Sequence, residues 1–258
     1  MTPLEVIFLG VGEAFDERLP NTSVLLKYQR SDKTYFHLLL DCGFTAPPKL
    51  WKQLRDKEAL DAIWISHFHG DHFMGIPPLL VRFWEEQREK PLILISQKGI
   101  KDKMDKAIEI TYPGFKERMK FEIHYLELEP GESLSVGDFI LRAAESEHSQ
   151  RNLSLRVDLE DVSLFYSGDG RPTKESKSLS REAGLLIHES FRLREDVPGH
   201  GTVMSSIEMA KECGIPNLAL VHIHRYVRRD YKDEIDEIIK KEDKLNVFMP
   251  EPGDSFFL

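Results

Sequence analysis

The sequence of 258 residues predicts an α/β domain. Three observations carry that reading. Short apolar runs bounded by turn residues alternate with amphipathic segments of helical spacing. The apolar runs end repeatedly in His, Asp or Glu. No linker or shift of composition divides the chain, so one domain over residues 1–258 is expected.

Leu4 to Leu9 reads as a first strand running into Gly10-Val-Gly12. That glycine pair lacks the remaining spacing of a nucleotide-binding motif, so it reads as a tight turn bringing the next segment toward the active centre. Thr22–Tyr28 and Tyr35–Leu40 form a hairpin around the polar turn Arg30 to Lys33. Pro47 to Lys57 has helical spacing, with Leu50, Trp51 and Leu54 on one face. Ile63 to Ile65 is a buried strand. Ile76 to Glu89 is a helix opened by Pro77-Pro78, with Phe83 and Trp84 in the core. Leu92–Ser96 and Phe121–Leu128 are strands around a lysine-rich helix, Gly99–Ile110. Asp138–Ala143 and Leu153–Val157 are strands flanking His148. Val162–Tyr166, Leu185–Ile187 and Leu218–Val221 complete the strands, and Ser205–Cys213 is a helix stopped by Gly214.

With 41% hydrophobic and 31% charged residues the chain is ordinary for a soluble globular protein. No apolar stretch reaches the roughly 18 residues of a membrane span. Met1 to Val6 has neither a basic region nor a long apolar one, so no leader is expected. Two distant cysteines, Cys42 and Cys213, do not make a disulfide framework, and a reducing cytoplasm fits them. A net charge of −9 argues against a general nucleic-acid binder, which must neutralise phosphates.

The most informative stretch is Ile63-Trp-Ile-Ser-His67-Phe-His69-Gly-Asp71-His72. His67 and His69 alternate past the strand end, so both imidazoles point to one side. Asp71 and His72 follow on the turn and face a second point. Imidazole and carboxylate are ligands for Zn²⁺ and similar ions, and the divergence of the two pairs suggests two adjacent cations. Further along the chain His148, Asp169 and His222 also stand at or just after strand ends.

These positions taken together make the chain resemble the metallo-β-lactamase-fold hydrolases, most closely the ribonuclease Z group. The resemblance runs from Leu4 to about Tyr226. It rests on His67-Phe-His-Gly-Asp71-His72, on Ser167-Gly-Asp169-Gly-Arg171-Pro-Thr173, on His188-Glu189-Ser190 and on His200-Gly-Thr202. It implies an αββα sandwich of two facing sheets with helices outside. It further implies that His67, His69 and His148 hold one divalent cation, that Asp71, His72 and His222 hold another, and that Asp169 bridges them. His124 is the other histidine near His148, but it lies inside an alternating strand and suits a structural role. His224 shares a strand face with His222; the motif register favours His222 as ligand and places His224 beside the substrate.

Two features depart from the group. Bacterial ribonucleases Z insert a tRNA-gripping arm between the lone His and the bridging Asp, whereas here twenty residues separate His148 from Asp169. His224 also stands where that group places Ser.

Two ions about 3.5–4 Å apart activate a water and clamp the attacked group, with Asp71 orienting the nucleophile. Glu189 and His200 form a carboxylate–imidazole pair that protonates the leaving oxygen; a surface charge is the other reading of Glu189. Arg171, near Asp169, either forks onto a phosphate or makes an ordinary ion pair. The expected function is phosphodiester hydrolysis on small substrates or short single-stranded nucleic acid. A thioester or lactone hydrolase is the rival, and a di-iron redox or non-catalytic member is disfavoured. Zn²⁺ is the expected ion, with Mn²⁺ or Fe²⁺ also suited to such ligands. No membrane is involved, and a homodimer stays open.

Overall fold

The computed structural model describes residues 4–258, so Met1 to Pro3, where the leader was sought, lie outside it. The chain begins with β1 (Glu5–Gly10), β2 (Ser23–Gln29), β3 (Tyr35–Leu40), α1 (Pro47–Gln53), β4 (Ala62–Ile65), α2 (Gly70–Phe73) and α3 (Ile76–Glu85). It continues through β5 (Leu92–Ser96), α4 (Ile100–Thr111), β6 (Ile123–Glu127), β7 (Ser133–Val136), β8 (Phe139–Ser146), β9 (Asn152–Leu159) and β10 (Val162–Tyr166). Then come α5 (Lys174–Ser180), β11 (Leu185–Glu189), α6 (Val203–Glu212), β12 (Asn217–Val221), α7 (Arg225–Asp230), α8 (Lys232–Lys241), β13 (Asn246–Phe248) and β14 (Ser255–Phe257).

Two seven-stranded sheets result, ordered β14-β1-β2-β3-β4-β5-β6 and β13-β12-β11-β10-β9-β8-β7. Each is antiparallel where hairpins join its strands and parallel where helices cross over: β3 to β6 in the first, β10 to β13 in the second. Side-chain alternation decides the layers. Trp64 of β4 and Ile187 of β11 point inward, into one core that also takes Leu26, Leu38, Leu141, Leu155 and Tyr166 from both sheets. Ile63 and Ile65 point outward beneath Leu79, Leu80 and Met104 of α3 and α4. Leu186 and Leu220 point outward beneath Val203 and Ile207 of α6 and Ile235 of α8. The layers are therefore helix, sheet, sheet, helix, the expected αββα order. Each fully buried large apolar side chain contributes about 1.5–3 kcal/mol of transfer free energy.

The helices after β3 and before β5 are shorter than the apolar spacing suggested. The segment after α3 turns back at Gln87 (φ 58°) because Arg88 is buried there. Its guanidinium donates to the carbonyl oxygens of Lys57, Leu60, Lys90 and Pro91, which ends the helix and pins the strand entry. At the other side α6 starts earlier, at Val203, because Thr202 and Ser205 form a reciprocal cap. Among the described residues no helix is long and apolar enough to cross a membrane.

Candidate metal centre

Parallel sheets gather functional side chains at the carboxyl ends of their strands, and both sheets do so at the same edge. The segment after β4 delivers His67, His69, Asp71 and His72, the last two on the short helix α2 rather than a simple turn. The loop after β8 delivers His148, the one after β10 Asp169, and the one after β12 His222. Two groups form. The ligand atoms of His67, His69, His148 and Asp169 lie within 4.8 Å of one another, as do those of Asp71, His72, Asp169 and His222. All seven residues expected from the sequence are thus brought together, with Asp169 common to both groups.

Several contacts aim these side chains. His148 Nδ1 lies 2.7 Å from the Gly199 carbonyl oxygen and donates to it, leaving Nε2 for the centre. His72 Nδ1 donates to Asp41 Oδ2 at 2.7 Å, again freeing Nε2. His67 Nδ1 meets Ser66 Oγ at 3.0 Å. The freed nitrogens converge: His67 Nε2 and His148 Nε2 lie 3.0 and 3.2 Å from His69 Nδ1. Three imidazole nitrogens gathered this closely are what a bound cation would hold. His72 Nε2 and Asp169 Oδ1 are buried without a hydrogen-bond partner among the described residues, although they lie 3.3 Å apart. The donor set, buried and oxygen–nitrogen mixed, fits divalent ions of the Zn²⁺ type.

The electrostatics agree. Burial opposes a charge on His72, but Asp169 and Asp41 outweigh it and hold its pKa well above the usual imidazole range. The same contest, burial against Asp169 and Asp71, leaves His222 raised to about 9. His67 goes the other way, lowered by burial and by the neighbouring His72. Burial would raise Asp71 and Asp169, yet the histidines beside them hold both low. The carboxylates of Asp71 and Asp169 thus favour positive charge at this spot, which a divalent ion would supply.

Sequence reasoning missed Asp41. It follows β3 in a left-handed conformation (φ 57°) and is fully buried. Its Oδ1 accepts from the Ser66 backbone N–H, and its Oδ2 from Ser66 Oγ, His72 Nδ1 and Tyr166 Oη, all four at 2.7 Å. The aspartate therefore ties the end of β3 to β4, α2 and β10. Close backbone contact locks the same corner: a Cβ at Gly43 would stand 1.8 Å from the Asp71 carbonyl oxygen. Gly10 plays the expected part of a close turn, its missing Cβ leaving room for the Asn21 carbonyl oxygen. The adjoining Val11 carbonyl accepts the His222 N–H at 2.9 Å.

The Glu189–His200 pair also forms. His200 Nδ1 lies 3.2 Å from Glu189 Oε1 and donates to it. Buried Glu189 further accepts from the backbone N–H groups of Gly170, Gly201 and Phe191. The Phe191 ring stacks on His200 at 4.3 Å. His200 is thereby held at the wall of a cavity of about 580 Å³, together with His148, Asp169, His222 and His224.

Three expectations change. Arg171 does not line that cavity: its guanidinium donates to the His200 and Val197 carbonyl oxygens and pairs with Asp196, so it anchors the loop carrying His200 rather than forking toward a phosphate. His222 and His224 do not share a strand face, because β12 ends at Val221, His222 is left-handed (φ 53°) and His224 caps α7. His124, expected to be structural, stands exposed beside Glu122 on β6.

Comparison with known proteins agrees with this fold. The ribonuclease Z of Methanosarcina acetivorans is 26% identical over 304 aligned positions, covering 96% of each chain. That of Thermococcus kodakarensis is 28% identical, covering 97% of this chain and 93% of its own. In structure, the metallo-β-lactamase-fold protein YhfI from Bacillus subtilis superposes with a TM-score of 0.80 at 23% identity, each chain covered completely. The short form of human tRNase Z does so at 0.76 and 22% identity, over 98% of each chain. Fold and site together define a ribonuclease Z-like hydrolase of the metallo-β-lactamase fold. Within that class, residues 4–241 match the family described as Anti-Pycsar protein Apyc1. The chain belongs to that family.

Proposed function

We propose that the chain is a dinuclear metal-dependent phosphodiesterase, acting on small phosphodiesters or short single-stranded ends rather than on folded tRNA. One observation carries the reading: two four-membered ligand groups share Asp169 in the floor of a single cavity. His67, His69 and His148 would hold one ion, Asp71, His72 and His222 the other, and Asp169 both. Bound divalent ions supply an activated water and a Lewis-acid clamp on the phosphoryl oxygens. The protein's own groups do the rest. Asp71 orients the attacking oxygen, and Asp41 keeps the His72 lone pair aimed inward. His200, steadied by Glu189 and Phe191, presents its ring to the cavity as donor of the proton that the leaving oxygen requires. His224, which packs against Phe191 in a T-shaped contact and lines the same cavity, would contact substrate.

The relatives named ribonuclease Z support phosphodiesters over thioesters or lactones. The M. acetivorans alignment spans 304 positions against 258 residues here, so that relative carries segments without a counterpart in this chain. A strand-turn-strand alone fills the interval from His148 to Asp169, which leaves no arm there to grip tRNA. Two buried free thiols, Cys42 and Cys213, fit the cytoplasm.

The test combines metal analysis with a substrate panel. Purified protein should bind two equivalents of Zn²⁺, Mn²⁺ or Fe²⁺ and hydrolyse bis(p-nitrophenyl) phosphate and dinucleotides in preference to thioesters and lactones. Efficient, salt-sensitive 3′ processing of precursor tRNA would overturn the substrate assignment. Absence of divalent-metal uptake would overturn the centre itself.

A further inference from the structure

Beside the metal centre lies a second concavity of about 290 Å³, whose walls hold Arg18, Arg228, Arg229 and Lys232 against a single carboxylate, Glu251. Four cations to one acid is a marked local reversal in a chain of net charge −9. Two chain segments contribute to both cavities, with different residues in each. The segment from Glu13 to Leu19 lines the metal cavity at Glu13 and Phe15, and the second one at Arg18 and Leu19. Helix α7 does likewise, with Arg225 in the first and Arg228 and Arg229 in the second. Positions 225 and 229 are one helical turn apart, about 6 Å along the axis. Tyr226, half exposed, lies between them with the Arg225 and Arg229 guanidinium carbons 4.8 and 5.0 Å from its ring centre.

Arg228 is the telling residue. Its side chain is 95% buried by exposure of 5%, and Nη2 donates to the Pro250 carbonyl and to Glu251 Oε1. Nη1 is buried and has no acceptor among the described residues. A buried guanidinium N–H without a partner is costly, and an anion or an ordered water is the usual remedy. The remaining cations have weak claims on their acids. Arg229 pairs with exposed Asp230 and Lys232 with partly exposed Asp236, whereas Arg18 lies 3.9 Å from the buried Asp16 carboxylate, at the limit of an ion pair. Solvent-exposed pairs such as those of Arg229 and Lys232 contribute little and exchange readily for a better anion.

We propose that this cleft is a phosphate-binding subsite, taking a phosphate group that the substrate carries beyond the cleaved bond or one free in solution. The first source rests on the phosphodiesterase reading; the second does not. The Arg225–Glu13 ion pair, 2.6 Å long, joins α7 to the Glu13–Leu19 segment; a phosphodiester reaching out of the metal cavity over that pair would meet the cleft next, and guanidinium groups suit its oxygens.

The probes are the dinucleotide UpU, its phosphorylated forms pUpU and UpUp, and inorganic phosphate. The test variant is the holoenzyme carrying Arg18→Ala and Lys232→Ala, two partly exposed positions away from the metal ligands. A Lys101→Ala, Lys103→Ala protein controls for loss of charge. The wild type should show a KM about tenfold lower for one phosphorylated form than for UpU, and the test variant should lose that gain while its constants for UpU stay unchanged. If instead the phosphorylated forms gain nothing, but phosphate raises the melting temperature less in the test variant than in wild type and control, the site takes free phosphate. Equal KM ratios together with equal phosphate-induced shifts in all three proteins overturn the proposal. Should the holoenzyme cleave none of the dinucleotides, the phosphodiesterase reading fails, and the phosphate shift alone still decides the cleft.

Discussion

Replacing Asp41 by Asn tests whether the ligand cluster depends on the buried carboxylate behind it. Asn matches Asp in size and tolerates the left-handed backbone at this position (φ 57°), so packing and strain change little. The hydrogen bonding cannot survive intact. All four neighbours of the Asp41 side chain are donors: the Ser66 N–H and hydroxyl, His72 Nδ1–H and the Tyr166 hydroxyl. An amide offers one acceptor and one donor, so at least one N–H must confront another donor in a fully buried place. Leaving such a group unsatisfied costs about 1–3 kcal/mol. The negative charge that favours a correctly aimed His72 is lost as well, and such supporting carboxylates are worth about 10–100-fold in metal affinity. Asp41→Asn should therefore lower stability by about 1–3 kcal/mol and weaken metal binding by about one to two orders of magnitude. A chromophoric chelator competing for Zn²⁺, followed at several concentrations, measures the second effect apart from the first. Unchanged metal affinity in a folded variant would show that His72 needs no such partner.

Four further outcomes follow from the same geometry. His200→Ala should cut turnover about 10²–10⁴-fold on dinucleotides, and much less on p-nitrophenyl esters, whose leaving group needs no proton; equal losses on both would assign the residue another role. Zn²⁺ affinity should rise as pH goes from 6 toward 9, because the proton held by His222 up to about 9 must leave, and calorimetry in buffers of different ionisation enthalpy should register its release. In the metal-free protein that same proton contributes stability which is complete below the ordinary value of 6.5 and lost as pH rises through about 9, so a metal-free melting temperature insensitive to pH across this window counts against the pairing with Asp169 and Asp71. Gly43→Ala drives a methyl to 1.8 Å from the Asp71 carbonyl oxygen, so stability should fall by about 3 kcal/mol and metal content with it; full metal content at wild-type stability would refute the clash.

Strands buried on both faces were the most legible. β3, β5 and β10 match the apolar runs Tyr35–Leu40, Leu92–Ser96 and Val162–Tyr166 residue for residue, since such runs are sharply bounded by polar turns. Elements whose burial is set by distant neighbours were not. β7, at the sheet edge, buries only Val136 of its four residues, and α5, polar but for Leu179, lies over β8 and β9 behind a Thr173 cap. The amphipathic spacing of Ile235, Ile238 and Ile239 in α8 was present in the sequence and went unread. The seven ligands stood out because imidazole and carboxylate cluster at strand ends for few other reasons. Asp41 looked like any polar residue closing a strand, and only the folded chain brings it to Tyr166, 125 residues away. Arg171 shows the converse: nearness in sequence to Asp169 suggested a phosphate contact, whereas the guanidinium turns toward carbonyl oxygens twenty-six and twenty-nine residues on.

The ligands come from both halves of the sandwich. His67, His69, Asp71 and His72 belong to the first sheet, while His148, Asp169 and His222 belong to the second, and each ligand group draws on both. An ion in either group is therefore a rivet through the seam between the two sheets. Drawing it out would remove a cross-link as well as a reagent, and would leave imidazoles and a carboxylate on each side of the seam with nothing held between them. Since a bound ion stabilises by RT ln(1 + [L]/Kd), the resistance of the whole chain to heat and proteolysis becomes a readout of cellular metal supply. A starved protein would loosen first along that seam, where its two ligand groups meet.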